Sequence, residues 1–114
     1  MTSTSEKVLE LVVFKLRDGV SREQLLGTVD AVSRWARSQP GFISRELSYD
    51  ADGDRWIEVV WWRTMEEAHA AADLAMSSES CAPMFAAIDM ESTLMLHGTL
   101  AIPPVVGPSE SVRA

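Results

Sequence analysis

Eight residues, Trp56-Ile57-Glu58-Val59-Val60-Trp61-Trp62-Arg63, hold three of the chain's four tryptophans and constrain the fold more than any other stretch. Runs rich in Val, Ile and Trp between turn residues form strands, and Asp52-Gly53-Asp54 before the run and Thr64 after it supply the bounds. Alternation places Trp56, Glu58, Val60 and Trp62 on one face and Ile57, Val59, Trp61 and Arg63 on the other. Neither face is polar, so both sides of the sheet are expected to be covered at this strand. In a chain of 114 residues the second cover is expected to be another subunit.

A second run behaves the same way. Val8 to Leu16 is apolar on both faces, with Val8, Val12, Phe14 and Leu16 against Leu9, Leu11 and Val13. After the Arg17-Asp18-Gly19 turn, Ser21 and Gln24 have the spacing of a capping box, and Val20 and Leu25 that of a hydrophobic staple. Leu25, Val29, Val32 and Ala36 then recur at helical spacing with Trp35 beside them, until Gln39-Pro40-Gly41 stops the helix. Phe42 to Tyr49 reads as an edge strand with Ile43, Arg45, Leu47 and Tyr49 on one face and Phe42, Ser44, Glu46 and Ser48 on the other. A hairpin at Asp50-Ala51-Asp52-Gly53 leads into the tryptophan strand. Thr64 and Glu67 predict a second capping box, and Met65, Ala68, Ala71, Ala72, Ala75 and Met76 form one helical stripe. That many alanines either bring the helix close to the sheet or leave a gap. A short helix is expected after Cys81-Ala82-Pro83, burying Met84, Phe85 and Ile88, and a last strand from Glu91 to Leu100.

The order strand, helix, strand, strand, helix, strand predicts an α+β, ferredoxin-like βαββαβ fold with a four-stranded antiparallel sheet. That fold puts strands one and three in the middle, and these are the two strands that are apolar on both sides. Residues 1–6 form a polar arm, 7–102 the domain and 103–114 a tail. Helices would cover one sheet face, and two copies packing their other faces would form a homodimer, an α+β barrel. A net charge of −7 disfavours nucleic acid and anionic membrane as partners, since both require basic patches. One cysteine permits no intrachain disulfide, and the polar start carries neither a leader pattern nor a span, so a cytoplasmic location is expected.

The chain resembles the antibiotic biosynthesis monooxygenase-like proteins over roughly residues 7 to 100. The resemblance rests on a strand ending in Asp18-Gly19, on Gln39-Pro40-Gly41-Phe42 before strand two, and on Val60-Trp61-Trp62-Arg63-Thr64-Met65-Glu66-Glu67-Ala68 between strand and helix. It implies a dimeric α+β barrel and a choice among cofactor-independent oxygenases of polyketide aromatics, haem-degrading enzymes, isomerases and proteins without a known role. The haem degraders carry an Asn, a Trp and a His where this chain has Val12, Ala71 and Asp89, which argues against haem degradation.

Candidate functional residues carry a structural alternative alongside each role. His69, at the edge of the alanine stripe, and His97, on the last strand, are candidate catalytic bases toward a phenol, or else a surface and an interface histidine. Phe14, Trp56, Trp62 and Phe85 are candidate walls for a planar aromatic ligand, or else plain core, as is Trp61. Glu10 and Glu58 interrupt apolar faces. Each is either an acid or base with a raised pKa or half of a salt bridge to Arg45, Arg63 or a partner subunit. Tyr49 either orients a ligand or packs at a strand end, and Cys81 reads as a small packing residue. Two histidines 28 positions apart and one cysteine offer no metal site, and no glycine-rich loop suggests a nucleotide or flavin, so no cofactor is expected. The reaction expected is oxygenation of a small aromatic or polyketide-like molecule by substrate deprotonation. Cyclisation or isomerisation on the same fold, and a binding or interaction dimer without turnover, are the alternatives.

Overall fold

A computed structural model of the protein describes residues 7–108. The polar arm, 1–6, and the end of the tail, 109–114, lie outside the described residues. The elements are β1 (Val8–Phe14), α1 (Arg22–Arg37), β2 (Phe42–Asp50), β3 (Arg55–Trp62), α2 (Met65–Ala75), α3 (Ala82–Ala87), a single 3-10 turn (Met90–Ser92) and β4 (Leu94–Thr99). The strands form one sheet in the order β2-β3-β1-β4, every neighbouring pair antiparallel. This is the predicted ferredoxin-like arrangement, with β1 and β3 at its centre.

Burial follows the alternation of the sequence. Val8, Glu10, Val12 and Phe14 of β1 and Trp56, Glu58, Val60 and Trp62 of β3 are buried beneath the helices. Their neighbours Leu9, Leu11, Val13, Ile57, Val59 and Trp61 project from the opposite face and are only half-buried. Leu94 and Leu96 of β4 pair with Val13 and Leu11 and extend this second face, each 51% exposed. Among the described residues no helix packs there. No helix among them is long and apolar enough to cross a membrane.

The helices begin where their caps specify. Gln24 N–H donates to Ser21 Oγ (3.0 Å) and Ser21 N–H to Gln24 Oε1 (2.7 Å), completing the first capping box. Leu25, Val32 and Ala36 of α1 then face the core, with Val20 packed against it. At α2 only half the expected box forms. Glu67 N–H donates to Thr64 Oγ (3.0 Å), but the Glu67 carboxylate accepts from the Thr64 hydroxyl (3.1 Å) instead of the Thr64 backbone. The Glu67 side chain lies across Gly41 and occupies the space a Cβ would fill there.

Two boundaries and one register differ from the sequence pattern, each for a local reason. β1 stops at Phe14, because Lys15 C=O accepts from Asp89 N–H (2.8 Å), Arg17 N–H donates to Ala87 C=O (3.0 Å) and Leu16 bridges to Ile88. β2 carries a bulge between Phe42 and Ser44, so Phe42 pairs with Trp62 and turns to the helix side, opposite to the face that simple alternation gives it. Its ring meets Trp62 edge-on at 5.7 Å. β4 starts only at Leu94 because Asp89 caps the 3-10 turn, accepting from Glu91 N–H (3.2 Å) through its side chain and from the Thr93 hydroxyl (2.8 Å) through its carbonyl.

Gly41 has φ +84°, and a methyl group there would also collide with Glu67 Cβ at 2.9 Å. Gly41→Ala is therefore expected to destabilise the fold by about 1–3 kcal/mol, read as a lower urea midpoint with an unchanged slope. An unchanged midpoint would show that this turn is not under the constraint described.

Candidate functional site

The small side chains of α2 leave a gap. Between the sheet and the three helices lies a cavity of about 270 Å³, with Ala71, Ala72 and Ala75 on its α2 side. Val12, Val60 and Trp62 of the central strands form its floor, and Trp35, Phe85 and Met84 its walls. Met76, Met90 and Met95, which are 63%, 41% and 46% exposed, mark its opening. Its volume is just below the usual range for ligand pockets, which suits a small molecule.

Two carboxylates stand in this apolar lining. Glu58 is closed off: Arg45 Nε donates to its Oε2 at 2.6 Å, and Arg45 is held in turn by Ser33 Oγ (2.6 Å) and Val29 C=O (3.2 Å) of α1. This is the salt bridge that the sequence offered as one alternative. Glu10 has no such cation. Its Oε1 accepts from Trp62 Nε1–H (3.0 Å) and lies 3.3 Å from His97 Nε2. Burial pushes the Glu10 carboxyl above its ordinary 4.5, and the Glu58 carboxylate raises it further, while His97 and the Trp62 hydrogen bond pull it part of the way back. Glu10, its proton affinity raised, faces the cavity.

The candidate residues separate into groups. Phe14, Trp62 and Phe85 line the cavity and Trp56 does not. Trp56 stacks on Phe14 (ring centroids 6.5 Å apart) and meets Tyr49 at a tilt (4.8 Å), with the Arg22 guanidinium 5.0 Å from its ring, so it supports the wall from behind. Neither histidine lines the cavity. His97 reaches it through Glu10, and His69, exposed on α2, meets the His97 ring edge-on at 4.9 Å. Tyr49 donates to Asp54 (2.7 Å) at the hairpin, a bond that raises its phenol pKa. Cys81 is buried on the cavity wall as a free thiol, and burial pushes its pKa up. Among the described residues no group of three His, Cys, Asp or Glu could hold a metal ion. Trp35 and Arg45 line the cavity without having stood out as site residues, although Trp35 lies beside the apolar stripe of α1 and Arg45 breaks the apolar face of β2.

No family profile matches the chain, and no curated protein matches it significantly. Solved structures do. SnoaB, a cofactor-independent oxygenase from Streptomyces nogalater, superposes with a TM-score of 0.63 at 13% identity, over 90% of this chain and 99% of the other. A dimeric ferredoxin-like protein of unknown function from Thermobifida fusca gives 0.67 at 13% identity, over 88% and 96%. A heme-degrading protein from Mycobacterium tuberculosis gives 0.63 at 16% identity, over 90% and 99%. The chain thus shares the ferredoxin-like fold of these structures. Identities this low speak for the fold alone. Val12 and Ala71 both face the cavity with apolar groups.

The raised Glu10 pKa links stability to pH. The folded state holds this proton more tightly than the unfolded chain, so stability is full below about 4.5 and falls as pH rises through the folded value. Glu10→Gln, uncharged throughout, is expected to melt a few degrees higher than the parent at pH 7, with the gap closing toward pH 4. A gap independent of pH in paired thermal melts would contradict the assignment.

Proposed function

We propose that this chain is a cofactor-independent enzyme that deprotonates a small aromatic or polyketide-like molecule in the α2-side cavity, and that the carbanion so formed reacts with dioxygen. The observation that carries this reading is Glu10, a buried carboxylate with a raised pKa and no permanent cation beside it, facing a mainly apolar cavity. A carboxylate in such surroundings is a stronger base than one in water. Likeness to a cofactor-independent oxygenase supports the choice of dioxygen as oxidant.

The chemistry balances without a further reagent. Glu10 takes a proton from an activated ring CH2. The carbanion gives one electron to O2, the two radicals combine as a C–O bond, and protonation yields a hydroperoxide. Removal of the remaining C–H proton then breaks the O–O bond, leaving C=O and releasing water, so that CH2 and O2 become C=O and H2O. His97 holds Glu10 and shares its proton, and His69 positions His97 through the edge-on ring contact. Phe14, Trp62 and Phe85 hold the flat rings, with Trp56 bracing Phe14.

The working unit in this reading is a homodimer. Leu9, Leu11, Val13, Val59 and Trp61 on the uncovered face meet the same face of a second copy, and the dimeric ferredoxin-like neighbour supports this. A free thiol at Cys81 suits a reducing cytoplasm.

Oxygen uptake with anthrones as substrates tests the reaction. Glu10→Gln is expected to lower kcat/KM by about 100-fold or more, His97→Ala by less, and the parent's kcat/KM to rise with pH through a value above 4.5. Full activity in Glu10→Gln would place the base elsewhere. Deuterium exchange at the substrate carbon without oxygen uptake would favour the isomerase or cyclase alternative, and binding with neither would favour a non-catalytic dimer. Light scattering at micromolar concentration is expected to give twice the 12.6 kDa chain mass, and Leu11→Glu to halve it. A monomeric parent would sink the dimer.

A further inference from the structure

Arg45 stands at the far end of a cross-strand row that contains Glu10. The pairings of Glu10 with His97 and with Val60, and of Val60 with Arg45, set His97, Glu10, Val60 and Arg45 side by side across β4, β1, β3 and β2. Strands lie about 4.8 Å apart, so the backbones carrying Glu10 and Arg45 are separated by roughly 10 Å. Only Val60 stands between them, and all three line the cavity.

The Arg45 guanidinium is almost fully enclosed, its side chain 5% exposed. Nε and Nη1 are committed to oxygens: Glu58 Oε2, Ser33 Oγ and Val29 C=O. Nη2 instead donates to the Met84 thioether at 3.6 Å. A thioether is a weak acceptor, so this end of a permanently charged fork is left with its poorest partner where the cavity begins. Met84 is itself a cavity wall on a flexible, unbranched side chain that can move aside.

We infer that Arg45 Nη2 holds the oxygen of an enolisable ketone, or of its phenol tautomer, whose acidic carbon faces Glu10. The inference rests on the reading of Glu10 as the base and adds the residue that receives the charge. Deprotonation delocalises negative charge onto an oxygen conjugated with the acidic carbon. Glu10 becomes neutral as the substrate becomes anionic, so the cavity keeps its net charge while that charge moves along the row from Glu10 toward Arg45. The charge arrives at a donor already oriented by Glu58, Ser33 and Val29, the preorganised arrangement that favours an oxyanion. Aromatic hydrocarbons lacking a ring oxygen would fill the cavity without engaging Arg45.

The test compares 1-naphthol with 1-methylnaphthalene, two probes of similar shape, by quenching of tryptophan fluorescence. Arg45→Met alone would orphan Glu58, so the paired variant Arg45→Met/Glu58→Gln is used. The parent is expected to favour naphthol, and the paired variant to lose about tenfold or more of that preference while binding methylnaphthalene within about threefold of the parent. Met84→Leu, which keeps the volume and removes the sulfur acceptor, is expected to increase the naphthol preference a few-fold. A preference unchanged in the paired variant would overturn the assignment. If that variant does not fold, a preference unchanged in Met84→Leu overturns it. Equal binding of both probes by the parent would remove the Arg45 role alone, whereas binding of neither would also remove the cavity as the ligand site.

Discussion

Two carboxylates on the helix-covered side of the central strands determine what this cavity can be. Glu10 and Glu58 share a layer with Val8, Val12, Phe14 and Val60, and an unpartnered charge in such a layer would cost several kcal/mol. The fold resolves the two differently. Glu58 is matched by Arg45, whose other donors tie β2 to α1, so this pair is part of the scaffold. Glu10 receives one indole N–H and one imidazole, neither a permanent cation, and these offset only part of the rise in proton affinity that burial and the Glu58 carboxylate cause. The closed pair gives the site its rigidity, and the open carboxylate gives it a group able to exchange a proton.

The cavity and Glu10 depend on the same helix. Protein interiors normally close gaps of this size, because lining atoms without partners lose dispersion energy. Here Ala71, Ala72 and Ala75 are too small to fill the space, and bulkier aromatic groups from α1 and α3, Trp35 and Phe85, also line it without closing it. The result is an apolar space with a basic carboxylate and a guanidinium along its floor. Water entering such a space would find few partners other than these groups, and a flat organic molecule would find many.

The fold was legible because its strongest signals are local. Two-sided apolar strands identified β1 and β3 as central, and the Ser21 and Thr64 caps fixed both helix starts. The alanine stripe allowed for a gap, and a gap exists. Other features depend on contacts between distant residues. The bulge that turns Phe42 toward Trp62 is invisible to alternation, and so are the bonds that draw Lys15 and Arg17 away from the sheet. The site shows the same division. Phe14, Trp62 and Phe85 were recognisable from composition and face, whereas Trp56 shares their face yet sits beyond the cavity, under Arg22. Which carboxylate would take Arg45 depended on strand register, and the meeting of Glu10 with His97 spans 87 residues. Without that contact the histidines stood out as candidate bases, and Glu10 stayed open between an acid or base and half of a salt bridge.

Structures with this fold include an oxygenase and a heme-degrading protein, so the reaction is set by a few side chains placed on a shared sheet. In the reading proposed for this chain those side chains are Glu10 and the groups in its row. The most direct measurement is a carbon-13 NMR titration of the Glu10 side-chain carboxyl, assigned by comparison with Glu10→Gln. The account predicts a midpoint clearly above 4.5, with the same resonance shifting when an aromatic ligand saturates the protein. A midpoint at or below 4.5, insensitive to ligand, would mean that Glu10 is an ordinary structural carboxylate and that the proposed chemistry is wrong.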